Sequence, residues 1–308
     1  MKIENPYHAG ELEAQRRAGE TLIAERNGVV IADTIIAGAL PFLKQQTMAV
    51  TGTVDPDGTR WAFPIFGIPG FLSPDDDRTV RCIRGLMKPQ QLFWQRIRTG
   101  NQIGLLAIEL ATRRRLRVNG TLETVDQDGF VLAVREAYPN CPKYIQRRTL
   151  TWLDGPADQL SETASEGTHL SPEAKQLLDS VDTLFIASAE EQRGVDVSHR
   201  GGHPGFIQRL NDTTIRVPDY PGNSMFNTFG NLLTDSRAGV TAMDFAGGRA
   251  LHMTGNVDLH WHEADERGLT GGTGRFWTFH VDRWRILPLP SAARWDFHDA
   301  SPFNPRVA

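Results

Sequence analysis

The sequence predicts a mainly β chain with inserted helices, made of two similar halves that are each a small antiparallel barrel or sandwich. Three observations carry this. Short alternating segments recur between strong turn signals such as Asp55-Pro56-Asp57-Gly58. No regular strand–helix alternation of the doubly wound kind is present. The chain also repeats itself. Pro69-Gly70-Phe71 recurs as Pro204-Gly205-Phe206, and with that offset of 135 fixed, residues 69–120 show 13 identities in 52 ungapped pairs, where average composition gives about three.

The elements follow in order. Residues 8–19 are polar good helix formers and predict a surface helix. Residues 39–46 predict a short helix, and TMAVTGTV (47–54) a strand. TRWAFPIFGI (59–68) reads as a second strand that Pro64 pushes to a sheet edge or a bulge. Strands are expected at 79–83, 103–108 and 114–124, with a helix at about 89–99. Residues 128–150 read as helical in pieces. The polar, turn-rich 154–170 is the linker, giving an N-terminal helical extension at 1–38, a first unit at 39–150, a linker at 151–172 and a second unit at 173–308. Ser171 caps the next helix with Pro172 at its first position. TLFIASAE (183–190) answers TMAVTGTV, and RFWTFHVDRWRILPL (275–289) is the last strand.

Bulk properties narrow the function. The 308 residues carry a net charge of −4, with 40% hydrophobic and 23% charged residues, which speaks against a dedicated nucleic-acid binder. No apolar run reaches the ~18 residues of a membrane span, and MKIENPYHAGELEAQRRAG lacks an apolar leader core, so the expected location is the cytoplasm. Two cysteines, Cys82 and Cys141, support neither a disulfide framework nor a zinc pattern. His199 and His203 are four apart, but Gly201-Gly202 rules out a helix between them, so no metal site is expected.

Four stretches can carry chemistry. VSHRGGHPGFI (197–207) places His199 and Arg200 beside two glycines, where a guanidinium fork can meet phosphate; a bulged turn with solvated polar residues is the plainer reading. VPDYPGNSMFNTFGNLL (217–233) ends a strand, turns at Pro221-Gly222 and opens a helix with Asn223 or Ser224 as cap, leaving backbone N–H groups suited to an anion. YPNCPKYIQRR (138–148) crowds Lys143, Tyr144 and Gln146 into a loop that either lines a pocket or docks the halves. RRRLRVNG (113–120) is basic without aromatic interleaving and reads as a solvated hairpin tip.

Taken together, SHRGGHPGF, NDTTIRVPDYPGNSMFNTFGNLL, LHMTGNV and NCPKYIQRR resemble the FMN-binding split-barrel proteins related to pyridoxamine 5′-phosphate oxidase, in their two-barrel form. The resemblance spans about residues 40–150 and 175–290. It implies two split β-barrels related by internal duplication, with FMN at their seam. It implies that the phosphate is held by Arg200 on its strand, with His199 beside it, and by Gly222, Asn223, Ser224 and Asn227 where the helix begins. That helix start has no Lys or Arg between Asp219 and Gly230, so a cation must come from elsewhere, with Lys143 the candidate and Tyr144 beside it. In the first half Ile65, Lys88 and Pro89 stand where Arg200, Asn223 and Ser224 stand in the second, so one flavin per chain is expected. HVDRWRILPLP resembles the family's closing strand, which makes Trp284 and Arg285 pocket candidates. The implied activity is an FMN-dependent oxidoreductase using flavin N5, with a small-molecule substrate or electron donor and room for a homodimer. A non-catalytic flavin or haem carrier with His199 or His203 as axial ligand is the second reading, and a deazaflavin enzyme the third.

Overall fold

The structure is a computed structural model that describes residues 6–153 and 165–305. The chain opens with α1 (Ala9–Ala18), α2 (Thr21–Gly28) and α3 (Leu40–Lys44). The first sheet follows from β1 (Met48–Val54), β2 (Arg60–Phe66), β3 (Leu72–Pro74), β4 (Thr79–Ile83), then α4 (Gln91–Arg96), then β5 (Gln102–Glu109), β6 (Arg114–Val125) and β7 (Gly129–Pro139). After β8 (Arg147–Trp152), β9 (Ser165–Gly167) and α5 (Pro172–Ser180) come β10 (Thr183–Glu190), β11 (Gly194–Gly201), β12 (Gln208–Arg209), β13 (Thr214–Asp219), α6 (Asn227–Thr234), β14 (Arg237–Asp244), β15 (Arg249–His260), β16 (Arg275–Pro288) and β17 (Ala293–Asp299).

The expectation of mainly antiparallel β structure with inserted helices holds. The first sheet runs β2-β1-β5-β6-β7-β4-β3 and the second β11-β10-β14-β15-β16-β13-β12, the same order strand for strand. The registers agree too: Met48 faces Phe66 as Thr183 faces Gly201, and Ala107 faces Leu116 as Ala242 faces Leu251, each related by the offset of 135. Pro64 lies on the outer strand of its sheet, where its missing N–H costs no second ladder.

Two expectations are corrected. Residues 128–150 are not helical: GFVLAVREAYP is β7, paired with both β6 and β4, and Arg147–Trp152 is β8, paired with β17. Ala, Leu, Val and Glu there suit either structure, and the two flanking ladders decide it. The expected linker 154–170 falls partly on residues 154–164, which lie outside the described residues; 165–167 are β9, joined to β16.

Each sheet has its own apolar core. A third core joins them, with Met48, Val50, Phe66 and Leu106 from one half against Phe185, Ala187, Val197 and Met243 from the other. Close backbone approach explains one repeated glycine. A Cβ on Gly104 would lie 2.7 Å from the Val195 carbonyl oxygen, and one on Gly239 would lie 2.4 Å from that of Arg60. Gly104 and Gly239 are equivalent positions, as are Arg60 and Val195, so each half uses the same glycine to approach the other. The N-terminal helices divide between the halves: Leu43 of α3 sits in the first core, whereas α1 packs on the second half, where Gly10 meets Gly230 of α6 and a Cβ would come within 2.2 Å of the Gly230 oxygen.

Candidate anion site at the seam

A cavity of about 110 Å³ opens between the halves. Eight of the residues singled out from sequence line it: His199, Arg200, Gly222, Asn223, Ser224, Asn227, Lys143 and Tyr144. Trp284 and Arg285 do not. Trp284 faces the second core, its indole N–H donating to the His169 carbonyl at 2.8 Å. Its neighbour Arg285 faces the opposite side of β16, beside Glu166 and a different cavity. Strand alternation separates the two and takes both away from the seam site.

The first half brings Arg115 and Arg117, two apart on β6, into the same cavity. They were missed because a basic run beside a hairpin turn reads as solvated, although the spacing of two on a strand signals a shared face. Arg117 is paired through both terminal nitrogens, although its Nε is buried without a partner. It donates to Tyr138 Oη (2.8 Å), the Val197 carbonyl (3.0 Å) and Ser198 Oγ, and lies 3.3 Å from Asp196. Burial disfavours its charge, but Tyr138, Asp196 and Glu136 outweigh that and hold it protonated.

Arg115 and Arg200 differ. Arg115 donates through Nε to the Cys141 carbonyl (2.7 Å) and has no ion pair among the described residues. Burial pushes its guanidinium down to about 9, with Arg117 and Arg200 adding to the effect. Arg200 donates to its neighbouring His199 carbonyl at 3.2 Å and reaches Asp219 only at 4.0 Å, while its Nε is buried without a partner. Burial again lowers its pKa. His199 is 4% exposed, and neither ring nitrogen has a partner. Burial first, then Arg115 and Arg200, keeps its ring neutral. Several other arginines also have a buried Nε without a partner, but His199 is the one described side chain with two such atoms, and a buried ring with neither nitrogen satisfied is uncommon in folded proteins.

The helix start differs from expectation. α6 begins at Asn227, and its N-cap is Phe226, with left-handed φ of 60° and no side-chain cap. Asn223 and Ser224 lie before it, Ser224 also left-handed at 61°. Of five non-glycine residues with positive φ among those described, Tyr144, Ser224 and Phe226 line this one cavity, a clustering of backbone strain typical of binding sites. The N–H groups of 227–229 have no partner among the described residues, and they add a partial positive charge.

Part of this donor set is already occupied by the chain's own carboxylates. Glu20 accepts from Ser224 Oγ at 2.5 Å and from Arg275 at 2.8 Å; Arg275 also pairs with Asp219 at 2.9 Å. Glu11 accepts from Asn227, and the Asn223 carbonyl accepts from Asn27 at 2.8 Å. Lys143 stands over the Phe303 ring at 5.4 Å, and Tyr144 donates to the Pro221 carbonyl at 2.8 Å. Lining the cavity are thus five cations (Arg115, Arg117, Lys143, Arg200, Arg275) and two acids, Glu20 and Asp219. That balance and volume suit one phosphate group. Among the described residues no group of three or more His, Cys, Asp or Glu could hold a metal ion, and no helix is long and apolar enough to cross a membrane.

No protein-family model matches the chain, and no curated protein matches it. Solved structures do. A Lactobacillus delbrueckii protein provisionally named a pyridoxamine 5′-phosphate oxidase is 11% identical, covering 38% of this chain and 94% of its own, with a TM-score of 0.31. An FAD-binding protein of Mesorhizobium loti is 14% identical over 40% of this chain and 96% of its own, TM-score 0.28. General Stress Protein 26 of Bacillus anthracis is 8% identical over 40% and 95%, TM-score 0.28. Each of these likenesses covers less than half of the chain.

Proposed function

We propose that the chain binds FMN at the seam, with the phosphate between Arg115, Arg200 and the start of α6, and acts as an FMN-dependent oxidoreductase on a small molecule. The observation that carries this is the pair of guanidiniums beside the unsatisfied ring of His199: among the described residues Arg115 has no carboxylate partner and Arg200 reaches one, Asp219, only at 4.0 Å. Arg115 is the cation that the helix start lacks. The shared strand order and register support two barrels, 39–150 and 173–308, that arose by duplication and meet through 151–172. Bound flavin would supply hydride transfer at N5. The protein's part is to hold the phosphate with Arg115 and Arg200, to keep His199 neutral by burial, and to close one side with α1 and α2. Because about 110 Å³ is below the ~300 Å³ at which small-molecule sites begin, the cavity takes the phosphate end, and Glu20 must yield donors as it enters.

A second reading, haem with His199 as axial ligand, is favoured by that ring's two unpartnered nitrogens. The visible spectrum of the purified protein, before and after adding FMN, separates the two. Oxidised-flavin bands support the first reading and a Soret band the second. A colourless protein that takes up no FMN excludes the proposal.

A further inference from the structure

A second cavity, of about 310 Å³, lies between the halves where β2 and α4 face β15 and β16. It is the seam site's counterpart under the offset of 135. Phe63 stands where Ser198 does, Pro64 where His199 does, and Ala250 and His252 where Arg115 and Arg117 do. The exchange is one-directional: cations and hydroxyls on one side, apolar and aromatic walls on the other. Phe63, Phe66, Phe93 and Leu287 form those walls, so a flavin phosphate has no equivalent set of guanidiniums here.

Gln90, Gln91 and Gln95 add amides on the α4 side, and on the opposite side two polar groups, His252 and Arg285, stand on neighbouring strands. His252 Nδ1 lies 3.1 Å from the Ala62 carbonyl and 2.9 Å from Thr241 Oγ1, whose own hydroxyl donates to that carbonyl at 2.6 Å. A carbonyl only accepts, so Nδ1 carries the proton and Nε2 is an acceptor, with no partner among the described residues. Burial keeps the ring neutral, its pKa lowered to about 4. Arg285 is the direct cross-strand partner of His252, which places the two side chains on one face about 5 Å apart at Cβ. Its Nε pairs with Glu166 at 2.7 Å, and its terminal nitrogens have no partner among the described residues.

An apolar cavity of about 150 Å³ accommodates one benzene ring. Twice that volume, walled by three phenylalanines, matches a bicyclic aromatic. We propose that this cavity binds a bicyclic aromatic acid that also carries a hydroxyl or N–H donor: the ring system between the phenylalanines, the donor on His252 Nε2 and the acid on Arg285. The inference does not depend on flavin binding at the seam.

The probe is 6-hydroxy-2-naphthoate, titrated into the full chain by calorimetry, with 2-naphthoate as the analogue lacking the donor. One saturable site per chain is expected, undisturbed by excess FMN. His252→Phe should weaken the hydroxylated probe at least tenfold and bring it level with 2-naphthoate. Arg285→Met, at the half-exposed rim, should weaken both acids by a similar factor. Failure of the unmodified protein to bind either acid saturably overturns the proposal, as does binding that both variants leave unchanged or that FMN displaces.

Discussion

Arg115 has no carboxylate partner among the described residues and Arg200 reaches Asp219 only at 4.0 Å, whereas Arg117 and Arg275 beside them are closely paired. The account assigns the first two to the ligand and the second two to the framework. Arg115→Met and Arg200→Ala should each weaken FMN binding by about 1.5–3 kcal/mol, the range for hydrogen bonds to charged groups, or roughly 10- to 150-fold, as read by quenching of flavin fluorescence. Glu20→Gln should act in the opposite direction. It removes a carboxylate that holds Ser224 and Arg275, so FMN should bind several-fold tighter; weaker binding would mean that Glu20 organises the site instead. Arg200 and the polar stretch from Gly222 to Asn227 were legible because glycines, a turn and a helix start are local signals. Arg115 was not, because its role depends on β6 lying across the seam from β11, which no local pattern encodes.

The N-terminal pair of helices shows what an element can do that its own sequence does not announce. Residues 8–19 read as a surface helix, and the helix forms as α1, but it is docked on α6 through the Gly10–Gly230 contact and through Glu11. Glu11 is buried among Asp196 and Glu136, and burial, reinforced by those acids, raises its pKa to about 8. Unfolded, the same carboxyl loses its proton near 4.5. The folded chain therefore binds one more proton between these values, and stability should fall as pH rises from about 5 to 8, by at most about 1.4 kcal/mol per pH unit, and level off above. Thermal melting across that range checks it, and Glu11→Gln should remove the slope. The helix expected to be capped by Asn223 or Ser224 starts later, at Asn227, since those side chains contact Met225 and Glu20 rather than the helix's own N–H groups. Likewise β7 was hidden by residues that suit helix and strand alike, and its partners β4 and β6 settle it.

At the scale of the molecule, the offset of 135 reads out of sequence as scattered identities and out of structure as matching strand order and register. The glycines at 104 and 239 belong to both descriptions. A seam between the halves was expected from the resemblance; what the sequence could not show is that equivalent positions across it form two cavities of different character, one lined by cations and one largely by phenylalanines and leucines. The central claim concerns the first. Its most direct test is a side-by-side titration of the purified protein with FMN and with riboflavin, which share a ring and differ by the phosphate. The account predicts that FMN binds at least tenfold more tightly and that raising the salt concentration narrows the gap. Equal affinity for the two, or no binding of FMN, would contradict a phosphate held by Arg115, Arg200 and the start of α6.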